Sequence, residues 1–261
     1  MDRAVPRSRR QLEDDEERHA HSRPRWWREV AFVGIVYFLY SLVRNAAPSR
    51  VLAAEHNTSV VMAVEHALHL DVEHAVNSFV AGLSAVAVPA NYYYATLHFI
   101  VTGGVLLWMF AARPRDYRSS RTVLLVMTLL ALVGYWLFPL APPRLTPGEG
   151  FVDTVRAFGT WGVSPDTVVA SASNQYAAMP SMHVGWALWS GTTLARYARR
   201  PVVRALGIAY PFATLFVVIA TGNHFVLDAV GALLAFVLGT VAAASLIRMP
   251  ALSTGTEPVS G

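Results

Sequence analysis

The sequence contains no cysteine, which excludes disulfide bonds, thiolate nucleophiles and zinc sites built from thiolates. It also contains no lysine, so all 21 of its basic side chains are arginines. These arginines cluster in short segments beside apolar runs, a distribution that argues against a nucleic-acid partner. An arginine-only basic set is typical of a high-GC bacterial genome, and we therefore expect a bacterial plasma membrane.

Hydrophobic residues make up 54% of the 261 residues, and they occur in blocks rather than at regular helix or strand spacing. A bilayer core of about 30 Å needs roughly 20 apolar residues in a helix. The blocks predict an all-α integral membrane protein with a bundle of six transmembrane helices. The predicted spans are residues 30–43, 92–112, 122–140, 180–197, 202–221 and 225–247.

The remaining composition predicts three regions. Residues 1–28 are polar and charged, which predicts a disordered cytoplasmic tail. Residues 29–248 are expected to form the membrane-embedded domain, and residues 249–261 a flexible C-terminal tail. Arginine-rich segments alternate along the chain with loops that carry few arginines, which places the arginine-rich segments and both termini in the cytoplasm and the Gly222–His224 segment on the outer face.

An outer segment, residues 51–79, carries an apolar stripe with a spacing of four residues, formed by Val60, Val64, Leu68, Val72 and Val76. This pattern predicts an extracytoplasmic amphipathic helix that lies on the membrane or caps the bundle. The segment also contains Glu65, His66, His69, Glu73 and His74. A solvated helix face explains these polar residues better than a metal site of His66, His69 and Glu73. The run 76–88 predicts a re-entrant or interfacial piece.

Three segments far apart in sequence bring polar residues to the same predicted membrane face. PLAPPRL puts Arg144 just beyond the third span, and MPSMH puts Ser181 and His183 in the first turn of the fourth. GNHFVLD puts His224 and Asp228 at the start of the sixth. Because residues i and i+4 share a helix face, Asp228 can accept the ring N–H of His224 and leave the other nitrogen as a nucleophile.

These residue types indicate phosphoryl transfer through a phosphohistidine at His224. His183 is expected to protonate the leaving group, and Arg144, Ser181 and the helix N-terminus to hold the phosphate oxygens. No metal or cofactor is required; zinc ligation by the two histidines and Asp228 is the alternative, and the orienting role of Asp228 fits its position better. Possible head-group contacts precede the fourth span: Asn174, Gln175 and Tyr176.

MPSMH and GNHFVLD resemble the second and third signature motifs of the type 2 phosphatidic acid phosphatase superfamily. PLAPPRL and NQYAAMPSMHVGW are more similar to the branch that contains inositol-phosphorylceramide synthase. The resemblance implies a six-helix core like that of the vanadium haloperoxidases. By the same resemblance, His183 is the acid, His224 the nucleophile, Asp228 its partner and Ser181 a phosphate-binding residue.

Two departures from the family pattern concern phosphate binding. The usual first motif is a lysine, six intervening residues and then Arg-Pro, and the chain has only Arg113-Pro114, which the predicted topology places on the inner face. Arg144 is expected to act instead. The usual third motif carries an arginine six residues before the histidine, and here that residue is Val218. We expect Asn223, or one of Asn174, Gln175 and Arg156, to compensate.

The sequence therefore predicts an integral membrane phosphatase or phosphotransferase that acts on a lipid phosphate. The acceptor is water in the first case and an alcohol, such as inositol or a sugar, in the second. The alternative is a non-catalytic membrane protein of the same fold, a lipid transporter or scaffold, which the missing lysine and arginine would favour. For His98, inside the second span, a structural role is favoured over a role in the site.

Overall fold

The computed structural model describes residues 25–46, 50–160 and 174–248, and these ranges are helical without a β-strand. The helices are α1 (Trp26–Ala46), α2 (Val51–Ala67), α3 (Glu73–Ala81), α4 (Ser84–Ala112), α5 (Pro114–Leu137), α6 (Thr154–Ala157), α7 (Met182–Tyr197), α8 (Pro201–Ala220) and α9 (Val226–Arg248). A turn of 3₁₀ helix, Pro143–Leu145, follows α5. The predicted all-α class is confirmed for this part of the chain.

Five of the described helices are long and apolar enough to cross a membrane: α1, α4, α5, α8 and, as far as Leu246, α9. They indicate an integral membrane protein. The fourth predicted span corresponds to α7, which has 16 residues. At 1.5 Å per residue α7 is about 24 Å long, less than the hydrocarbon thickness of about 30 Å. The count of six spans therefore stays a prediction.

The helix boundaries differ from the sequence prediction at two places. Helix α1 begins at Trp26, inside the segment predicted to be a tail, while residues 1–24 and 249–261 lie outside the described residues. Helix α4 begins at Ser84, so the run 76–88 is divided between α3 and α4. The run is therefore not one separate element, because its second half belongs to the long helix α4, and whether its first half lies at the membrane interface stays a prediction.

Helix α7 is the centre of the bundle and packs against α4, α5, α8 and α9. More than half of its residues are buried, including Trp186 and Trp189. Trp186 Nε1 donates to Thr128 Oγ1 of α5 at 3.1 Å, and Trp189 Nε1 donates to the Ser120 carbonyl at 2.8 Å. These bonds satisfy both indole N–H groups inside the bundle, as buried tryptophans require.

Helices α7 and α8 approach each other so closely that two glycines meet. A Cβ atom on Gly191 would lie 2.3 Å from the carbonyl oxygen of Gly207, and a Cβ on Gly207 would lie 2.9 Å from that of Gly191. Small residues at a helix crossing let the backbones approach, which is the usual way that membrane helices gain packing energy. The contact fixes the position of α7 and hence of its N-terminal turn.

Helices α2 and α3 form a cap over one end of the bundle, which buries several polar side chains and leaves most of the predicted apolar stripe exposed on the protein surface. Val60, Val64, Leu68 and Val72 are between 40% and 57% exposed, whereas Thr58, Glu65, Glu73 and Asn77 are at most 3% exposed. The expectation that Glu65 and Glu73 belong to a solvated face is wrong. The inner side of the cap contacts backbone groups as well as apolar clusters that contain Val61 and Val80, and buried backbone groups need polar partners.

Candidate active site

The loops at the capped end of the bundle are joined by backbone hydrogen bonds. Arg144 N donates to the Gly222 carbonyl at 2.9 Å, and Ser181 N donates to the Asp228 carbonyl at 3.0 Å. Gly222 has a φ of +69°, a conformation that favours glycine, and an added Cβ would lie 3.1 Å from the Val152 carbonyl oxygen. The three polar segments predicted to meet therefore do meet.

His224 and Asp228 form a buried pair at the start of α9. His224 Nδ1 lies 3.0 Å from Asp228 Oδ2, and the same oxygen accepts the Phe225 N–H at 3.0 Å. Asp228 is fully buried and His224 is 6% exposed. Because a carboxylate only accepts hydrogen bonds, Nδ1 carries the proton of a neutral His224 ring, and Nε2 keeps its lone pair. Nε2 is the nitrogen that is available for bond formation.

His183 lies in the first turn of α7, between two rings of α4. Its ring centroid is 4.3 Å from that of Tyr94, in a stacked arrangement, and 4.2 Å from that of His98. The centroid of the His224 ring is 5.6 Å away. Contact on both sides restricts the rotation of the His183 side chain and places it beside His224. His98, for which a structural role was favoured, contacts this site directly.

Ser181 caps the N-terminus of α7. Its Oγ accepts the Val184 N–H at 3.4 Å, and the residue is fully buried. It is not among the described residues that line the adjacent cavity. Its observed bond is the cap, and the predicted phosphate contact of Ser181 stays a prediction.

Arg144 is held at the edge of the site by three side chains. Its Nε donates to Asn223 Oδ1 at 2.9 Å, and its Nη1 donates to Gln175 Oε1 at 3.2 Å and to Asp153 Oδ2 at 3.4 Å. Asn223 is itself fixed by donating to Thr221 Oγ1 at 2.9 Å. This network orients a planar guanidinium, whose geometry suits phosphate oxygens.

A cavity of about 560 Å³ opens beside these residues. Its walls include five of the predicted site residues, Arg144, Gln175, His183, Asn223 and His224, and also His98. Asn174 and Tyr176 are not among the described lining residues; Asn174 Nδ2 donates to the Arg44 carbonyl at 3.4 Å, and Asn174 Oδ1 accepts the Tyr176 N–H at 3.0 Å. The volume lies within the range of small-molecule sites, about 300–1,000 Å³.

The opposite wall of the cavity comes from α1, which sequence reasoning did not connect with the site. Residues near its end line the cavity: Tyr37, Tyr40, Ser41, Arg44 and Asn45. Of these five residues, Arg44 carries a positive charge. Arg44 follows the first predicted span and Arg144 follows the third, on the same predicted membrane face, and this shared position could have indicated that Arg44 belongs to the site. Tyr94 had a similar signal, because it lies one helical turn before His98.

Arg113, the remnant of the first family motif, lies at the other end of α7. Its Nη2 donates to the Tyr197 carbonyl at 2.8 Å, whereas Ser181 and His183 are at the start of the helix. The 16 residues of α7 separate the two ends by about 24 Å. Arg113 is therefore far from the two histidines.

Within the described residues, no group of three or more histidine, aspartate or glutamate side chains is arranged to hold a metal ion. The alternative ligand set of the cap is separated: His66 Nδ1 lies 2.9 Å from Asp71 Oδ2 on the surface, whereas Glu73 is buried against α9. His224 and Asp228 bond to each other, in the orienting arrangement predicted from their spacing.

The fold and the site define a helical membrane protein with a histidine–aspartate pair, a second histidine and an arginine around one cavity. The chain belongs to the PAP2 superfamily, whose family model matches residues 59–242. Members of this superfamily are generally phosphatases that hydrolyse phosphoesters, and the apolar helices fit a membrane phosphatase. Among curated proteins and among solved structures, no match was found.

Proposed function

We propose that the protein is an integral membrane enzyme that transfers the phosphoryl group of a lipid phosphate through a phosphohistidine at His224. The site faces the extracytoplasmic side of a bacterial plasma membrane, and both termini are cytoplasmic. The observation that carries the proposal is the His224–Asp228 hydrogen bond of 3.0 Å beside His183 and the cavity. This arrangement gives a nucleophile, its orienting partner and a proton donor.

In the first step, His224 Nε2 attacks phosphorus and the bond from phosphorus to the leaving oxygen breaks. Protonated His183 gives its proton to that oxygen, which departs as an alcohol. The phosphorylated His224 ring is cationic, and the Asp228 carboxylate stabilises it through Nδ1–H. In the second step, neutral His183 takes a proton from the acceptor hydroxyl, whose oxygen attacks phosphorus and breaks the P–N bond.

Phosphate binding is assigned to Arg144 and Asn223 of the predicted set, with Arg44 as a third contributor. Arg44, Arg144 and Asn223 line the cavity together with both histidines. The equatorial oxygens carry most of the charge in phosphoryl transfer, so fixed cationic donors around them lower the barrier. Ser181 contributes by capping the first turn of α7, and Gln175 holds the guanidinium of Arg144.

A lipid is the expected substrate because one wall of the cavity is a membrane helix. Only 6% of the apolar stretch of α1 is buried within the protein, and another side of the same helix lines the cavity. A head group can therefore enter beside a helix that is otherwise available to lipid. Similarity to the inositol-phosphorylceramide synthase branch extends the proposal to alcohol acceptors such as inositol or a sugar, in competition with water.

The proposal is tested by assaying the purified protein in nanodiscs with a panel of lipid phosphates, with and without alcohol acceptors. We expect His224→Ala to lower turnover by about a thousandfold or more, because the nucleophile is lost. His224→Gln serves as a second variant, since its amide can still donate to Asp228. Arg113→Ala is the matched control and should keep nearly full turnover.

An acid-labile phosphoenzyme, trapped in the unaltered protein and missing in both His224 variants, would identify the intermediate. Turnover that survives in the His224 variants, or that is lost in the control, contradicts the mechanism. A phosphoenzyme that fails to form with any lipid phosphate would favour the non-catalytic transporter or scaffold instead.

A further inference from the structure

We propose that Glu65 and Glu73, on the cap helices α2 and α3, form a proton-sharing acid pair that holds the first turn of α9 and thereby positions His224. Both are positioning residues, since neither lines the cavity. This inference rests on the proposed function of His224 and deepens it, because it assigns the cap a part in catalysis.

The hydrogen bonds of the pair join segments that are far apart in sequence. Glu65 Oε1 accepts the Leu227 N–H at 2.7 Å, and Glu73 Oε1 accepts the Val226 N–H at 2.8 Å. The two glutamates are 1% and 3% exposed. The first N–H groups of a helix have no partner within the helix, and a side chain of the preceding residue usually supplies one. Here two other helices supply the acceptors.

Together with Asp228, the pair completes the capping of α9. The N–H groups of three consecutive residues are accepted by three carboxyl groups: Phe225 by Asp228, Val226 by Glu73 and Leu227 by Glu65. The positive end of the helix dipole favours negative charge at this place. The segment that begins at His224 is therefore fixed by acids from three helices.

Three buried carboxylates so close to one another would repel, and this repulsion is the reason for a shared proton. Burial, together with the charges of Glu73 and Asp228, raises the pKa of Glu65 to about 8, although the hydrogen bond from the Leu227 N–H acts in the opposite direction. Glu65 and Glu73 accept the N–H groups of adjacent residues, so their carboxyl groups lie next to each other. Near neutral pH, Glu65 is therefore protonated and donates to the Glu73 carboxylate, as in other close carboxyl pairs.

The cap also holds the segment that precedes His224 in the chain. Asn77 of α3 donates from Nδ2 to the Ala220 carbonyl at 2.9 Å, at the end of α8, and to the Val152 carbonyl at 3.0 Å. Glu73 of the same helix binds the start of α9. Helix α3 thus contacts the chain both before and after His224. A displacement of about 1 Å at a reacting group can cost about a hundredfold in rate, so these contacts bear on turnover.

The variants distinguish the loss of the hydrogen bonds that the glutamates accept from α9 from the loss of the ionisable group alone. Glu65→Gln keeps an oxygen for Leu227 and an amide that donates to Glu73, so kcat should stay within about threefold. Glu65→Ala and Glu73→Ala leave an N–H of α9 without an acceptor, and kcat should fall about tenfold or more while KM changes less than about threefold. Glu55→Gln, on the exposed side of α2, is the matched control and should change neither constant.

A second measurement does not depend on turnover. The folded-state pKa of Glu65 lies above its ordinary value of 4.5, so its contribution to stability is full below about pH 4.5 and is lost as the pH rises to about 8. We expect the thermal midpoint of the unaltered protein, relative to that of Glu65→Gln, to fall between about pH 5 and pH 8 and to stay level above. Glu55→Gln should show no such trend.

Among the described residues, the titratable groups that act on Glu65 include Glu73 and Asp228, and Asp228 in turn bonds to His224. None of the four variants replaces Asp228 or His224. A midpoint difference independent of pH overturns the shared proton. An alanine variant that unfolds normally and keeps its full kcat overturns the positioning role, as does a Glu65→Gln variant as slow as Glu65→Ala. If the unaltered protein turns over no lipid phosphate, the proposed function fails, and the pH trend still decides whether the pair shares a proton.

Discussion

Val218, where the family pattern has an arginine, holds the turn that carries His224 through its backbone carbonyl. Its carbonyl accepts the N–H groups of Asn223 at 3.0 Å and His224 at 3.2 Å, and its side chain is 1% exposed within an apolar cluster. An arginine at this position would have to bury its charge in that cluster. The second guanidinium of the cavity comes instead from Arg44, at the end of α1.

Replacement of Arg44 tests this exchange at the scale of one residue. We expect Arg44→Gln to lower kcat/KM for a lipid phosphate by about tenfold to a hundredfold, since a charge-assisted hydrogen bond contributes about 1.5–3 kcal/mol. Arg50→Gln, an exposed arginine just before α2, is the control and should change kcat/KM less than twofold. Equal effects of the two substitutions would show that Arg44 acts only through general charge.

Residue spacing predicted one part of the site and could not predict another. The pairing of His224 with Asp228 follows from four positions on one helix, and the location of His183 follows from a helix start after Pro180. The rings of Tyr94 and His98 around His183 depend on how α4 packs against α7. That packing is a tertiary property, which no local pattern in the sequence contains.

Helix α7 is the element on which the site depends most, and its contact with α8 can be tested directly. A Cβ on Gly191 would overlap the Gly207 carbonyl, whereas a Cβ on Gly103 of α4 meets nothing within 4 Å. We expect Gly191→Ala to lower the free energy of unfolding by about 1–3 kcal/mol through overpacking. Gly103→Ala should be neutral or slightly stabilising because alanine favours a helix.

Thermal unfolding of both variants in the same detergent gives the comparison. A Gly191→Ala midpoint at or above that of Gly103→Ala would contradict the close approach of α7 and α8.

The cap shows why sequence reasoning failed for one pair of elements. The apolar stripe of Val60 and Val64 was correctly recognised as one helix face, but the partner of the opposite face was unknown. The end of α8 and the start of α9 lie under that face, so Glu65, Glu73 and Asn77 are buried as partners for their terminal backbone groups. A helix buried against such backbone groups does not follow the rule of apolar residues inside.

At the scale of the whole molecule, hydropathy was sufficient to locate the long helices but not their orientation in the membrane. Each of the five long apolar helices overlaps a predicted span, because about 20 apolar residues leave few alternatives. The shorter α7 is surrounded by other helices, and burial inside the bundle removes the need for lipid-facing length. Orientation rests on the arginine asymmetry alone.

Orientation can be measured with single cysteines, since the chain has none of its own. Glu149 is exposed near the site, and Ser119 is exposed in α5, near Arg113 at the opposite end. We expect a membrane-impermeant maleimide to label Glu149→Cys in intact cells and Ser119→Cys only after permeabilisation. The reverse pattern would place the histidines in the cytoplasm and contradict the proposed extracytoplasmic site.

Helix α1 is fastened to α5 near both of its ends and is otherwise turned towards lipid. Glu29 Oε2 accepts hydrogen bonds from Arg121 and Tyr117, and the Val43 carbonyl accepts the Trp136 Nε1–H at 3.2 Å. For a lipid substrate, a wall of this kind has the bilayer on one side and the polar cavity on the other. The acyl chains can stay in the bilayer while the phosphate enters the cavity. Recognition then depends on the short part of the lipid where the acyl chains meet the polar head group.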